Sequence, residues 1–307
     1  MSRVEVVLMM RPDLPERLFG DRLHEVAAVV DLERAEIVLS GWGCPPLDAE
    51  LLARASNLRA IVHAAGGVKG HVTDACWERG LLVSTAAGAN AEPVAEYTLA
   101  RILLANKAAD RLSRTYRQRR EAIDLIAAYP EIGNFGKTVG IVGASRIGRR
   151  VVELLRPFDL RVLVSDPYLE GSVELDDLLQ ACDVVSLHAP SLPSTRHMLD
   201  ARRLALLRDG ATLINTARGA LIDQDALVAE LQTGRIDAVL DVTEPEVLPA
   251  GSPLYDLPNV VLTPHIAGAL GVEVRRLGES ALAELERYAR GEPFAHPVTR
   301  ADLDRIA

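Results

Sequence analysis

The stretch TVGIVGASRIGRRV, residues 138–151, decides the fold of this chain. It starts with an apolar, β-branched run, passes through a short turn that begins at Gly143 and ends at Gly148, and continues into a helical pattern. A strand, a tight glycine turn and a helix N-terminus in this order form the arrangement that binds a dinucleotide pyrophosphate. Gly143 permits the sharp turn, and Gly148 allows the helix and the strand to pack closely.

Ser145 departs from this pattern, because it stands where the common G-x-G-x-x-G motif has its middle glycine. That glycine lets the backbone approach the phosphates, so Ser145 either crowds the site or offers its hydroxyl to a phosphate oxygen. Taken alone, the motif fits an ordinary strand-to-helix turn equally well.

Asp166 ends the next predicted strand and is followed by proline. An acidic group there can accept hydrogen bonds from both hydroxyls of an adenine ribose, and it would repel a 2′-phosphate. An aspartate before proline is also a common turn residue. Its position after the glycine turn favours a cofactor contact, and NAD over NADP.

Short β-branched runs alternate with longer helical patterns along the chain, which predicts parallel sheets with helices on their faces. Strands are predicted over residues 4–9, 37–40, 60–63, 82–84, 138–142, 161–165, 184–187, 212–215, 238–241 and 260–262. Helices are predicted over residues 47–55, 72–79, 91–106 (with Pro93 in its first turn), 108–127 and 271–290. We therefore expect an α/β protein of two doubly wound parallel-sheet domains with a cleft between them. Residues 1–97 and 269–307 are predicted to form a flavodoxin-like substrate domain, and residues 98–268 a Rossmann-type dinucleotide-binding domain.

Composition narrows the class of protein. The 307 residues are 49% hydrophobic and carry a net charge of −9, spread along the chain. Nucleic-acid binding would need a basic stripe, and a membrane span would need a much longer apolar run than any here. Residues 1–10 are typical of a buried strand and not of a secretion signal. The three cysteines show no metal-ligand spacing, so we expect a cytoplasmic protein without a metal, a nucleic-acid partner or a membrane partner.

Three further segments place a polar group just after a predicted strand: NTARG at 215–219, DVTEPE at 241–246 and TPHIAG at 263–268. The carboxyl ends of parallel strands share one edge of a sheet, where ligands bind. Arg218, Glu246 and His265 can therefore meet although they are far apart in sequence. Each has an ordinary alternative, a surface or loop position, and Glu244 competes with Glu246 in the same acidic loop.

Together these three side chains suit the reduction of a 2-oxo acid. Hydride delivery to a carbonyl carbon leaves charge on the oxygen, and His265 can donate the proton that neutralises it. A carboxylate beside the imidazole, here Glu246, favours its charged form. Arg218 can bind the substrate carboxylate through two parallel hydrogen bonds and polarise the carbonyl.

These motifs, in this order, resemble those of the D-isomer-specific 2-hydroxyacid dehydrogenases, which are NAD-dependent. The resemblance extends to residues 90–96 (NAEPVAE), His188-Ala189-Pro190 and Thr195, and so covers most of the chain. It implies that Arg218 binds substrate, that Glu246 rather than Glu244 pairs with the histidine, and that His265 is the acid/base. The predicted NAD contacts are Gly143, Ser145, Arg146, Ile147, Gly148, Asp166, Pro190, Thr195, Thr216, Ala217 and Asp241.

The resemblance also implies that the loop at 65–68 binds the substrate carboxylate through backbone N–H groups, with Gly66 and Gly67 at its centre. A plain glycine turn is the alternative for this loop. Similar proteins form homodimers through the region that corresponds to the helical segment at about 100–127, so we expect a homodimer here. Lys69-Gly70 stands where relatives often carry Asp followed by Asn or His, and the interval from Arg218 to Glu246 is about one residue shorter than in the common form.

The leading expectation is hydride transfer between NAD(H) and a small D-2-hydroxy acid or its 2-oxo acid. A phosphite or other small-anion dehydrogenase of the same fold is an alternative. Similar formate enzymes use a different partner for their histidine, and phosphoglycerate enzymes often carry a further regulatory domain for which no residues remain in this sequence. A non-catalytic NAD-sensing scaffold, as in similar co-repressor proteins, can retain the same three side chains.

Overall fold

A computed structural model describes residues 3–304 of the chain. Its strands are β1 (Val4–Met9), β2 (Ala27–Val29), β3 (Ile37–Ser40), β4 (Ala60–His63), β5 (Leu82–Thr85), β6 (Thr138–Val142), β7 (Arg161–Ser165), β8 (Val184–Leu187), β9 (Thr212–Asn215), β10 (Asp237–Leu240), β11 (Val260–Leu262) and β12 (Pro297–Val298). Its α-helices are α1 (Leu14–Phe19), α2 (Arg22–Val26), α3 (Ala49–Arg54), α4 (Asp74–Glu78), α5 (Ala87–Asn106), α6 (Ala109–Arg119), α7 (Leu125–Ala128), α8 (Arg146–Leu155), α9 (Leu175–Ala181), α10 (Ala201–Leu204), α11 (Gln224–Gln232) and α12 (Val274–Ala289). Short 3-10 helices cover Gly219–Leu221, Pro253–Tyr255, Gly271–Glu273 and Arg300–Asp304.

The chain divides into two compact units. The first unit contains Met1–Ala91 and Gly268–Ala307, and the second contains Glu92–Ala267. Each unit is built on one six-stranded sheet. This confirms the predicted fold class of two parallel-sheet α/β architectures. The proposed domain limits at 97/98 and 268/269 remain predictions.

The sheet of the first unit has the strand order β12-β5-β4-β3-β1-β2, in which only β12 is antiparallel. Its central strands β3 and β4 are buried on both faces, because alternate residues of one strand enter different cores. Ile37 and Leu39 of β3 lie in one apolar cluster, whereas Val38 lies in the other. Such continuous apolar runs are typical of parallel sheets covered by helices on both sides.

Helix α12 supplies much of one of these cores through Leu277, Leu282 and Leu285. It lies close to α1, since a Cβ added to Gly278 would come within 1.8 Å of the Leu18 carbonyl oxygen. Only glycine permits this approach of the helix to the backbone. The C-terminal segment therefore completes the core of the first unit.

The second unit has the order β11-β10-β9-β8-β6-β7, and all its strands are parallel. Strand order reverses around β6, because β7 lies on one side of it and β8 on the other. Loops that follow the strands on the two sides of such a reversal diverge, which leaves a crevice for ligands. The glycine turn after β6 is at this position.

Two predicted helices differ from those of the structure. Helix α5 begins at Ala87 rather than near Ala91, so Pro93 lies inside it and not in its first turn. The pattern Ala87-Gly88-Ala89 carries no helix-start signal, while proline is a strong one. The helix predicted over 108–127 instead ends at Arg119, because Arg120 adopts a left-handed conformation with φ +53°. Arginine gives no sequence signal of such an end.

The strands β2 and β12 were not predicted, since runs of three and two residues are too short to show an alternation. Within residues 3–304, no helix is both long enough and apolar enough to cross a bilayer.

Candidate active site

The glycine turn after β6 is closely packed against the loop that follows β8. Gly143 has φ +94°, and a Cβ there would lie 2.7 Å from the Ala189 nitrogen and 2.8 Å from the His188 carbonyl carbon. A Cβ on Gly148 would lie 2.0 Å from the Gly143 carbonyl oxygen. Both glycines are therefore required by close backbone approach, as the motif predicts.

Ser145 precedes helix α8 in an extended conformation, with φ −72° and ψ −157°, which any residue adopts. Its side chain is exposed and makes no capping hydrogen bond to the first turn of the helix. Arg146 and Ile147 open that turn, and the first N–H groups of a helix attract anions. The backbone at Ser145 thus has no need of a glycine conformation, and its hydroxyl is available to a phosphate oxygen.

Asp166 connects the end of β7 to the glycine turn. Its Oδ2 accepts a hydrogen bond from the Ala144 nitrogen at 2.6 Å, and its Oδ1 accepts one from the Tyr168 nitrogen at 2.8 Å. A carboxylate oxygen has two lone pairs, so each oxygen can accept one further bond. Three features together fit an adenine dinucleotide. They are the glycine turn, in which a Cβ on Gly143 or Gly148 would clash, the N-terminus of helix α8 and the Asp166 carboxylate.

Four further predicted cofactor residues, Pro190, Thr195, Thr216 and Ala217, lie in the loops after β8 and β9. The Thr195 hydroxyl donates to the Pro190 carbonyl at 2.6 Å and so closes the loop after β8. Thr216 is buried, and its hydroxyl lies 3.0 Å from that of Thr98. The Ala217 nitrogen donates to Asn215 Oδ1 at 3.1 Å, which tightens the turn that carries Arg218.

His265 and Glu246 are in direct contact. The Nδ1 atom of His265 lies 2.6 Å from Oε1 of Glu246, a distance typical of a charge-assisted hydrogen bond. Glu244 faces elsewhere, because it accepts a hydrogen bond from Arg196 at 2.8 Å. Of the two competing carboxylates, Glu246 is thus the one that contacts the histidine.

Asp241 holds the loop that carries His265. This carboxylate is 1% exposed and accepts hydrogen bonds from the Thr263 hydroxyl (2.6 Å), the Ile266 nitrogen (2.8 Å) and the Ala267 nitrogen (2.9 Å). Its carbonyl oxygen also accepts from the His265 nitrogen at 2.9 Å. These bonds enforce a left-handed backbone at His265, with φ +55°, which is uncommon outside glycine and asparagine.

Arg218 lies near Glu246, with which it interacts electrostatically. Burial lowers the pKa of its guanidinium, and the Glu246 carboxylate opposes this shift by favouring the cation. Arginine remains protonated at neutral pH under such a shift, since its ordinary pKa lies far above neutrality. A Cβ on Gly219 would come within 2.2 Å of the Thr243 carbonyl carbon, so the loops of Arg218 and Glu246 approach closely only because residue 219 is glycine.

Arg218, Glu246 and His265 therefore meet at the carboxyl edge of the second unit's sheet, the edge that also carries the glycine turn. A fixed cation, a carboxylate and an imidazole in this arrangement can bind an anion and deliver a proton beside it. Within residues 3–304, no group of three or more His, Cys, Asp or Glu side chains is arranged to hold a metal ion.

The predicted carboxylate loop at 65–68 belongs to the first unit. Ser40, His63 and Thr85 end three neighbouring strands and face one another in register. The Ser40 hydroxyl lies 2.9 Å from His63 Nδ1 and 3.4 Å from His71 Nε2, and all three side chains are buried. Because His63 and His71 flank the loop, one hydroxyl connects both of its ends.

The centroids of the two histidine rings lie 4.3 Å apart, and the ring planes are tilted by 38° to each other. Burial lowers the pKa of His63 to about 3 and that of His71 to about 4, so both rings are neutral at physiological pH. The sequence motifs did not identify Ser40, His63, His71 or Thr85. Ser40, His63 and Thr85 are each the last residue of a strand. The pairing of these strand ends is what would have predicted that the three side chains meet.

Asn90 was part of a motif but had no assigned role. Its Oδ1 accepts a hydrogen bond from the Ala269 nitrogen at 3.0 Å, and a Cβ on Gly268 would lie 3.2 Å from the same atom. Asn90 therefore holds the chain as it re-enters the first unit.

Comparison with known proteins agrees with this geometry. A model of the family described as D-isomer specific 2-hydroxyacid dehydrogenase, NAD binding domain, matches residues 99–267. A glyoxylate reductase of Thermofilum pendens is 36% identical over 260 residues, which cover 80% of this chain and 76% of that protein. A D-3-phosphoglycerate dehydrogenase of Mycobacterium tuberculosis is also 36% identical, over 81% of this chain, but the chain spans only 48% of that protein.

Among solved structures, a D-lactate dehydrogenase of Aquifex aeolicus in complex with NAD and lactic acid has a TM-score of 0.74 at 27% identity. The match covers 94% of this chain and 96% of that one. Family match, sequence identity and fold thus agree over most of the chain. The chain belongs to the D-isomer specific 2-hydroxyacid dehydrogenases, a family of NAD-dependent oxidoreductases.

Proposed function

We propose that this enzyme catalyses reversible hydride transfer between NAD(H) and a small 2-oxo acid or its D-2-hydroxy acid, with His265 as the acid/base. The observation that carries this proposal is the 2.6 Å contact between His265 and Glu246 beside the half-buried Arg218. Bound NADH supplies the hydride. Reduction is the proposed cellular direction, because the equilibrium lies far towards the hydroxy acid.

In this proposal His265 donates a proton to the oxygen of the substrate carbonyl. Because Nδ1 is bound to Glu246, the proton that moves is held at the other ring nitrogen, Nε2. The carboxylate orients the ring and stabilises its charged form before the transfer. The left-handed backbone at residue 265, held by Asp241, fixes the direction in which the ring points.

Arg218 would bind the carboxylate of the substrate and polarise its carbonyl group. Its partial burial supports this assignment, since a guanidinium shielded from water interacts more strongly with an anion. Gly66 and Gly67 are also proposed to bind a substrate carboxylate, through their N–H groups. The cofactor residues proposed above, from Gly143 to Asp241, hold NAD, and Asp166 selects it over NADP by repelling a 2′-phosphate.

The proposal is tested by mixing the purified protein with NADH and a panel of 2-oxo acids, including glyoxylate, pyruvate, hydroxypyruvate and oxaloacetate. We expect NADH absorbance at 340 nm to fall with at least one of them, more slowly with NADPH, and the product to be the D isomer. Phosphite with NAD serves as the competing assay. Tight NADH binding without turnover of any substrate would contradict the proposal and favour a sensing role.

We further propose that the enzyme is a homodimer that pairs through about residues 100–127. Several large apolar side chains in this segment are exposed, among them Leu104 (43%), Tyr116 (62%) and Ile126 (88%). Exposed apolar surface of this kind is typical of a face that a partner covers. Light scattering should give twice the chain mass of 33.2 kDa, and Ile126→Lys should lower it.

The matched control for the dimer is Tyr168→Lys, because Tyr168 is equally exposed, at 89%, but lies outside the segment. A monomeric wild type, or a Tyr168 variant that dissociates as Ile126→Lys does, would contradict this assignment.

A cytoplasmic location is also proposed. It is supported by three free cysteines, two of them buried, which suit a reducing compartment.

A further inference from the structure

Thr85 makes an unusual contact with the loop that is proposed to bind the substrate carboxylate. This residue ends β5, is 5% exposed, and has a hydroxyl 2.8 Å from the Ala65 carbonyl oxygen and 2.5 Å from that of Gly66. The single hydroxyl proton is shared between the two acceptors, as in other three-centre hydrogen bonds. Two consecutive peptide groups are thus held by one side chain.

The orientation of these peptide groups follows from their planarity. Both bonds, from Ala65 to Gly66 and from Gly66 to Gly67, are trans. In a trans peptide the C=O and the N–H point in opposite directions. Because both carbonyl groups face Thr85, the N–H groups of Gly66 and Gly67 face away from it.

Within residues 3–304, neither of these N–H groups has an acceptor: the nitrogens of Gly66 and Gly67 donate no hydrogen bond to backbone or side-chain atoms. Gly67 is exposed and Gly66 is partly exposed. Free backbone N–H groups on this side of the loop can donate hydrogen bonds to an anion.

The loop is fixed at both ends as well as at its centre. The Ala64 nitrogen donates to the Ser40 carbonyl at 2.8 Å, and the His71 nitrogen donates to the Val68 carbonyl at 3.2 Å. With its ends held there, rotation of the 65–66 and 66–67 peptide groups is the remaining freedom that could turn the N–H groups inward. The Thr85 hydroxyl opposes that rotation.

We infer that Thr85 is a positioning residue, whose hydroxyl orients the Gly66 and Gly67 N–H groups towards the carboxylate of the substrate. This inference rests on the proposed function, since it assumes that the loop binds that carboxylate. Thr85 itself touches neither substrate nor cofactor in this role. Because the Gly66 and Gly67 N–H groups are already oriented, the loop loses less conformational freedom when substrate binds.

The test compares Thr85→Val, which removes the hydroxyl at nearly constant shape, with Thr85→Ser, which keeps it. We expect T85V to raise KM for the 2-oxo acid about tenfold, as for the loss of one well-placed hydrogen bond. The T85S variant should stay within about threefold of the wild type. The Kd for NADH, from fluorescence titration, should not change in either variant.

Thr73→Val is the matched control, because the Thr73 hydroxyl also donates to a backbone carbonyl of the first unit, that of Leu47, at 2.6 Å. It should lower the melting temperature about as T85V does and leave KM unchanged. If T85V does not fold, Thr85→Ala against Thr85→Ser provides the same comparison of one hydroxyl.

The outcomes separate the two proposals. An active wild type with equal KM in T85V and T85S overturns the positioning role and leaves the proposed function standing. An equal rise of KM in T85V and T73V also overturns it, since general destabilisation would then explain the effect. A wild type that turns over no 2-oxo acid overturns the proposed function, and this inference with it.

Discussion

Replacing His265 by asparagine is expected to lower kcat for the 2-oxo acid by about 10²- to 10⁴-fold, the usual contribution of a positioned general acid. Asparagine is the informative substitution because it tolerates the left-handed backbone that the loop imposes at this position, φ +55°. The loop should therefore keep its conformation while the proton donor is lost. Steady-state kinetics gives kcat, and fluorescence titration should show that NADH binds with its original Kd.

His197→Asn is a closely matched control for this variant. His197 also has a left-handed backbone, with φ +50°, and its Nε2 lies 3.7 Å from a carboxylate oxygen of Glu244. It shares the backbone strain and the acidic neighbour of His265 but not the contact with Glu246. We expect its kcat within about twofold of the wild type, and a similarly small effect of the His265 variant would exclude His265 as the acid.

Acidification from pH 7.5 to pH 5 is expected to destabilise the fold, the first unit most strongly. Burial lowers the pKa of His63 to about 3 and those of His71 and His188 to about 4, so these rings are neutral in the folded protein at pH 5. In the unfolded chain histidine has its ordinary pKa of about 6.5 and takes up a proton below it. The unfolded state then binds more protons than the folded state, and stability falls as the pH falls through this range.

The free energy of unfolding is expected to fall by about 2 kcal/mol for each buried histidine at pH 5. This follows because pH 5 lies about 1.5 units below the ordinary histidine pKa, and each pH unit contributes about 1.4 kcal/mol. The first unit of the fold contains two of these histidines and so loses about twice as much as the second, which contains His188. Urea unfolding at pH 7.5 and pH 5 measures the difference. In a double variant, His63→Gln with His71→Gln, the free energy of unfolding should depend less on pH. The variant His24→Gln, at an exposed position, should keep the pH dependence of the wild type.

An unchanged free energy of unfolding between these pH values would contradict the assignment of neutral, buried rings. Carboxylates whose pKa is lowered by an arginine partner do not provide the same signature, because they titrate below this pH range. Arg202 and Arg203 hold the pKa of Asp176, for example, at about 2. Their contribution is lost at more acidic pH than the range of this test.

Much of the candidate site followed from one topological rule. Arg218, His265 and the glycine turn were predicted to meet because each follows a parallel strand, and the carboxyl ends of such strands share an edge. Gly143 and Gly148 followed from the close backbone approach that the motif requires. The choice of Glu246 over Glu244 came from family resemblance, and the structure shows Glu246 in contact with His265.

The Ser40, His63 and His71 cluster could not be predicted in the same way. Its members belong to different strands and loops, and they meet only because Ser40 is paired with His63 in register. Sequence periodicity does not determine register between neighbouring strands, and a shift of one residue would turn the side chains to opposite faces. The Thr85 contact depends on the same register, and the end of helix α6 on a left-handed arginine that carries no sequence signal.

The position of Gly278 against Leu18 has a consequence for biosynthesis. Helix α12 emerges from the ribosome after all the strands of the second unit, yet it covers a core whose first strand was made at the start of translation. Until then, apolar residues such as Leu14 and Leu23 lack the surface that buries them. The nascent N-terminal segment therefore lacks helix α12 while the intervening unit folds, an interval in which chaperones would protect it.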